Sequence, residues 1–280
     1  MIASLGKTKE ILDKYNLHAK KVFGQNFLID SNIILKIVKG SGVDKDTGVI
    51  EIGPGLGALT EMLCEYGKKV LCYDIDQDMI NVLKHELTAS NLIIKNEDFL
   101  KCDFVRDLSY FDDCEKVIVV SNLPYYITTP IVFRLLEEPS RISEMYFMVQ
   151  KEVALRFTGK PSTKDYNSLS VAINYMCDAE IMFMVGRNCF LPSPDVDSAI
   201  ISLKKKKNDY GLKNEAKFFE FIKELFCMRR KTVVNNLGGK FNCTKERVKE
   251  ILNECDYKET VRAEELDLDQ IIKLYKKIEM

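Results

Sequence analysis

From Thr47 to Gln150 the chain alternates short, nearly continuous apolar runs with amphipathic ones, and this alternation constrains its fold more than any other feature. "GVIEIG" (Gly48 to Gly53) precedes "ALTEMLCEYG", and "KKVLCYDI" (Lys68 to Ile75) precedes "DQDMINVLKHEL". "NLIIKNED", "KVIVVSN" (Lys116 to Asn122) and "EMYFMVQ" (Glu144 to Gln150) follow. Strands apolar on both faces and separated by helices belong to a parallel sheet covered on both sides. The pattern predicts an α/β, Rossmann-like sheet. "AEIMFMV" and "DSAIISLK" add two later strands, close enough in sequence to pair antiparallel at one edge. After "KKKKNDYG" (Lys204 to Gly211) no strand-like run remains. The expected organisation is a sheet-bearing domain over 1–205 and a small helical domain over 206–280.

A chain of 280 residues can bury one substantial core with room for a second, smaller domain. Lys and Arg number 41 against 42 Asp and Glu, so any nucleic-acid contact must come from local patches. No apolar run reaches the roughly 18 residues of a membrane span, and the N-terminus is too mixed for a secretory signal. Nine scattered cysteines without a C-x-x-C pair read as reduced thiols of a cytosolic protein. Two histidines, His18 and His85, argue against a His-based metal site or a catalytic triad.

"EIGPGLGALT" places Gly53, Gly55 and Gly57 after the first strand, at the mouth of a helix. Glycines there let the backbone approach a ligand and offer free N–H groups. The string also fits G-x-G-x-x-A, so alone it admits a nicotinamide dinucleotide as readily as another adenosine cofactor. A tight turn without a ligand is the plain structural alternative. Two acids narrow the choice. Asp74 ends the second strand, where a carboxylate can accept hydrogen bonds from both ribose hydroxyls. Asp98 follows the third strand in "NEDFL", within reach of an adenine edge. Either acid alone could be a helix cap or a solvated residue. Together they fit an adenosine lying across the strand ends, and a dinucleotide has no special need of the second. The balance favours S-adenosyl-L-methionine.

The fourth strand ends in "VVSNLPYYITTP" (Val119 to Pro130). An exocyclic base amine is a poor nucleophile because its lone pair is delocalised into the ring. Two acceptors can draw its hydrogens out of the plane: the Asn122 side-chain oxygen and the Leu123 carbonyl. Pro124 restricts Leu123 to extended angles and so aims that carbonyl. Tyr125 offers a stacking face. The amine becomes cationic as it attacks and loses its proton afterwards, so no strong base is required. An ordinary Asn-Leu-Pro turn at a strand end is the alternative.

With these residues in hand, the chain resembles the KsgA-type (RsmA) small-subunit rRNA adenine N6-dimethyltransferase family over nearly its whole length. "NLPY" resembles that family's amino-methyltransferase motif. "KKVFGQNFLID" (Lys20 to Asp30) is similar to its N-terminal cofactor segment, and the resemblance implies that Asn26 and Leu28 contact S-adenosylmethionine. "VIEIGPGLGALT" is similar to its glycine motif, with Gly53 as a contact and Gly55 beside it. Asp74 stands where the family commonly has Glu, which keeps the carboxylate but shortens its reach. Asp98 and Asn122 match the remaining cofactor positions. "NCFLPSPDVDSAIISL" (Asn188 to Leu203) is similar to a later motif in which Phe190 would face the target base. "FCMRRKTVVNNL" and "RAEELDLDQ" resemble its C-terminal domain.

The resemblance implies a methyltransferase domain over 1–205 that dimethylates two adjacent adenines near the 3′ end of 16S rRNA. The helical domain over 206–280 would contact the rRNA or small ribosomal subunit, in ribosome biogenesis. Three alternatives stand beside it: a 23S rRNA adenine methylase of the macrolide-resistance type, a ribosome assembly factor without turnover, and a nicotinamide dehydrogenase. The first typically carries Ser-Gly-Lys and Asn-Ile-Pro, unlike Pro54 and Leu123 here. The basic clusters are Lys20 and Lys21, Lys204 to Lys207, and Arg229, Arg230 and Lys231. Each is either a solvated face or a phosphate contact. The last cluster is the favoured RNA contact, since it follows the apolar "FFEFIKELF" on what reads as one helix. Nothing in the sequence calls for more than a monomer.

Overall fold

A strand that is apolar on both faces is stable only between two layers of helices. The computed structural model, which describes residues 1–20, 24–207 and 210–279, has this arrangement. The chain opens with α1 (Leu5–Lys14), β1 (Phe27–Leu28) and α2 (Ser31–Gly40), then β2 (Thr47–Ile52), α3 (Ala58–Tyr66), β3 (Lys69–Asp74), α4 (Gln77–Glu86) and β4 (Leu92–Asn96). Next come α5 (Phe104–Asp107), β5 (Lys116–Asn122), α6 (Thr128–Glu137), β6 (Glu144–Gln150), α7 (Lys151–Phe157) and α8 (Ser168–Met176). β7 (Cys177–Val185), β8 (Phe190–Leu191) and β9 (Ser198–Lys205) are followed by α9 (Glu215–Leu225), α10 (Val233–Leu237), α11 (Lys245–Glu254) and α12 (Leu268–Glu279).

The main sheet runs β4-β3-β2-β5-β6-β9-β7. β4 through β6 pair in parallel, and β9 runs antiparallel to β6, with Ser198 opposite Gln150. The fold is thus a Rossmann-like α/β sheet with an antiparallel edge. From β2 the chain builds outward through β3 and β4, then returns to add β5 on the other side. The carboxyl ends of β2 and β5 therefore flank the switch point, where such sheets form a ligand crevice. α2 turns Ile34, Ile37 and Val38 inward at helical spacing, and they join Val49, Val70, Ile118 and Val120 in one core. All nine cysteines are free thiols.

The chain divides into two compact units: Met1–Ala154 with Glu180–Lys205, and Leu155–Ala179 with Lys206–Met280. The units part between Lys205 and Lys206, at the expected boundary, but 155–179, expected in the first domain, groups with the C-terminal helices. Tyr166, Val171 and Tyr175 from that segment are buried with Phe218, Phe221 and Tyr275 of those helices. The Tyr166 hydroxyl donates to the Leu266 carbonyl at 2.8 Å, a bond across 100 residues that sequence order conceals.

Arg229, Arg230 and Lys231 also depart from expectation, since α9 ends at Leu225 and they lie on the turns beyond it. Buried Asn236 explains the stop. Its Nδ2 donates to the carbonyls of Leu225 (2.7 Å) and Met228 (3.3 Å), satisfying groups a helix end leaves open. Thr232 then caps α10. All three basic side chains are exposed, and Arg229 pairs with Glu264 at 2.7 Å. Among the other clusters, Lys20 bridges Asp76 and Asp78, both at 2.7 Å, while Lys21 lies outside the described residues. Lys206 reaches Asp178 at 3.2 Å.

Candidate active site

The glycine turn is shaped by backbone angles that side chains resist. Gly53, Gly55 and Gly57 all have positive φ, at 69°, 55° and 88°. A Cβ on Gly57 would stand 2.7 Å from Leu83 Cδ2 of α4, so a side chain there would have to push that leucine aside as well as adopt a positive φ. A Cβ on Gly53 would meet the Pro124 ring at 3.4 Å, and one on Gly55 the Phe27 ring at the same distance. The glycine turn therefore packs directly against the turn after β5 and against β1.

These three segments and the end of β3 enclose a cavity of about 250 Å³. Asn26, Leu28, Gly53, Gly55, Asp74, Asp98, Asn122, Leu123, Pro124 and Tyr125 all line it. Phe190 does not. It is 3 % exposed, sits in the core, and its backbone pairs with Leu28. Its pairing partner Leu28 lines the cavity in its place.

Asp74 ends β3 with both carboxylate oxygens placed: Oδ1 accepts from the Asp76 N–H at 2.9 Å and Oδ2 from the Gly55 N–H at 3.4 Å. Burial pushes its carboxyl up to about 6, and the Asp76 and Gly55 donors only partly offset that. Asp98 begins a tight turn, accepting the Leu100 N–H on Oδ1 at 3.0 Å. Pro124 has φ −58° and ψ 128°, and its carbonyl accepts the Thr128 hydroxyl at 3.1 Å, fixing the turn to the start of α6. Asn122 donates through Nδ2 to the Asn26 carbonyl. The Tyr125 hydroxyl bonds Ser198 Oγ at 2.8 Å, and Ser198 is fully buried. The ring of Tyr125 is thereby held from its far end.

Some cavity residues escaped the sequence reading. Phe27 and Tyr126 lie within stretches singled out for other residues, and Phe99 follows Asp98. Glu51 had its own signal, a carboxylate inside an otherwise apolar strand. It is 1 % exposed, accepts from Thr60 Oγ1 at 2.6 Å and Cys72 Sγ at 3.5 Å, and burial raises it to about 7.

The cavity gathers the groups singled out from the sequence. The free N–H groups expected of the glycine turn are engaged within the fold: Gly53 donates to the Tyr73 carbonyl (2.8 Å), Gly55 to Asp74 Oδ2 (3.4 Å) and Gly57 to the Pro54 carbonyl (3.0 Å). The acids Asp74 and Asp98 line the cavity with the turn. Asn122, Leu123 and Tyr125 line the same cavity. Residues 16–279 match the family model described as ribosomal RNA adenine dimethylase. The chain is 44 % identical over 279 residues to the ribosomal RNA small subunit methyltransferase A of Geobacillus sp. (strain WCH70), covering 98 % of this chain and 96 % of that one. It is 42 % identical to the protein of the same name from Clostridioides difficile (strain 630), covering 96 % and 94 %. Among solved structures, a dimethyladenosine transferase from Plasmodium falciparum superposes with a TM-score of 0.75 at 26 % identity, over 90 % of this chain and 98 % of that one. The 23S rRNA methyltransferase ErmE superposes with a TM-score of 0.69, also at 26 % identity, over 91 % and 100 %. A match across both compact units, with relatives of nearly equal length, is more than a shared sheet: the chain belongs to the ribosomal RNA adenine dimethylase family.

Proposed function

We propose that this protein transfers methyl groups from S-adenosyl-L-methionine to the N6 amine of two adjacent adenines near the 3′ end of 16S rRNA, as a cytoplasmic enzyme of small-subunit biogenesis. The observation that carries this reading is the packing of Pro124 on Gly53, which brings the Asn122–Tyr125 turn and the glycine turn together in a single cavity. The names of the relatives above support small-subunit rRNA as substrate. They also favour it over the 23S alternative, whose solved example has lower identity.

The residues present fit the cofactor. Gly53 and Gly55 line the cavity without side chains, and the half-buried carboxylate of Asp74 lines it beside them. Asp74 would hold the ribose hydroxyls, Asp98 the adenine, and Asn26, Leu28, Gly53 and Gly55 the rest of the nucleoside and amino-acid portion. Bound there, the cofactor supplies an electrophilic methyl group. Asn122 Oδ1 and the Leu123 carbonyl accept the two amine hydrogens of the target adenine, which frees its lone pair. Tyr125 stacks on the base, held upright by Ser198. Phe190 acts through its pairing with Leu28 in β1. Stacking and acceptance both require the adenine to be unstacked from its own strand.

Mass spectrometry of nucleosides from small-subunit rRNA, from cells with and without this protein, tests the reading. Dimethyladenosine should disappear with the protein and return when it is supplied with S-adenosylmethionine in vitro. Unchanged dimethyladenosine would reject the proposal.

A further inference from the structure

We propose that Arg134 is a positioning residue that fastens the loop carrying Asp98 to the helix leaving the Asn122–Tyr125 turn, and so governs how tightly and selectively the adenine end of the cofactor is held. The inference rests on the reading that Asp98 receives that adenine. Arg134 projects from α6 and donates through Nη1 to the Phe99 carbonyl and through Nη2 to the Cys102 carbonyl. Its guanidinium lies 5.4 Å from the Phe99 ring centre and 5.1 Å from that of Phe104, so the loop is gripped by carbonyls and ring faces together. Glu138, the residue that caps the end of α6, accepts from Arg134 Nε at 3.4 Å.

The gripped loop is short and stiff. The Asp98 carbonyl accepts from the N–H groups of Lys101 (2.9 Å) and Cys102 (3.0 Å), and Phe99 also packs edge-on against Tyr73, 5.3 Å between centres. At its other end α6 is tied to the Pro124 carbonyl through Thr128. Arg134 thus joins, through one helix, the segment that would read adenine and the turn that would receive the target base. The planar guanidinium meets the two carbonyls through separate nitrogens and lays its face near two rings, whereas a lysine ammonium offers a single point of charge.

The test is calorimetry of S-adenosylmethionine, and of its 6-oxo counterpart with the adenine amine replaced, against five proteins. These are the parent, Arg134→Met, Arg134→Lys, Asp98→Ala and the Arg134→Met/Asp98→Ala double variant. We expect Arg134→Met to weaken cofactor binding about tenfold and to lose preference for the amine over the oxo form. Arg134→Lys should fall between, and the double variant should bind no worse than Asp98→Ala, because both changes act through one carboxylate. A merely structural role would lower melting temperature without changing that preference. If Arg134→Met does not fold, Arg134→Lys carries the same comparison. Parental affinity and preference in the folded Arg134 variants, or losses that multiply in the double variant, would overturn the inference. Parental affinity in Asp98→Ala would instead reject the adenine role of Asp98, and the inference with it.

Discussion

The side-chain nitrogen of Asn122 donates to the backbone carbonyl of Asn26 across 3.4 Å, tying the end of β5 to the segment that leads into β1. With Nδ2 engaged, Oδ1 is the atom free to accept from an incoming amine. Its effect should be largest as that amine gains positive charge. Asn122→Ala is therefore expected to slow single-turnover methyl transfer by roughly 10²–10³-fold, the scale of removing one preorganised electrostatic partner. RNA affinity, which comes mostly from phosphate contacts, should hardly change. A near-parental rate would leave the turn purely structural.

Tyr125 and Ser198 separate ring from hydroxyl. Tyr125→Phe keeps the stacking face, worth about 1–3 kcal/mol per base, and should retain most activity. It strands the buried Ser198 hydroxyl, so the protein should lose on the order of 1–3 kcal/mol of stability in urea unfolding. Tyr125→Ala should lose activity as well. Equal loss of rate from Phe and Ala would reject stacking as the role of the ring.

Asp74 must be ionised to accept from two ribose hydroxyls, and burial raises it to about 6 in the free protein. Cofactor affinity should therefore fall as pH drops through that value, becoming about tenfold weaker at pH 5 than at pH 7.5. Asp74→Ala should weaken binding at all pH values and flatten this dependence. Calorimetry across pH measures both, and a residual slope in the Ala variant would assign the titration to a neighbour such as Glu51.

Glu51 links pH to stability. Its folded value of about 7 lies above the ordinary 4.5, so the folded protein holds this proton more tightly than the unfolded chain. That contribution is fully present below about pH 4.5 and is lost as pH rises through about 7, by on the order of 3 kcal/mol. Glu51→Gln keeps an acceptor for Thr60 without the charge. It should be more stable than the parent at pH 8 and similar at pH 4.5, as read by chemical unfolding. An identical pH profile in both proteins would remove Glu51 as the source.

In the second unit, Arg230 and Lys231 are exposed on the turn after α9, whereas Arg229 is engaged by Glu264. Replacing Arg230 and Lys231 by Ala should weaken RNA binding and make its salt dependence shallower, by roughly 0.7–0.9 for each phosphate no longer neutralised. Cofactor affinity should stay unchanged. An unaltered salt slope would mark the cluster as a solvated surface.

The features legible in the sequence are local ones: apolar runs that must be covered on both faces, glycines where a strand meets a helix, and acids and an Asn-Leu-Pro-Tyr turn at strand ends. They follow from neighbours within a few residues, and strand ends in such a sheet converge by geometry, so Gly53, Asp74, Asp98 and Asn122 could be named in advance as cavity residues, whereas Phe27, Phe99 and Tyr126 were not. Other outcomes depend on distant partners, and folding alone settles them. The end of α9 depends on the buried amide of Asn236, and the allegiance of 155–179 to the second unit depends on Tyr166 reaching Leu266. The inward burial of Phe190 follows from pairing with β1, and the grip of Arg134 on the Asp98 loop crosses more than thirty residues. Periodicity reports which face of an element is apolar, but not which far segment covers that face, and each of these outcomes turned on that choice.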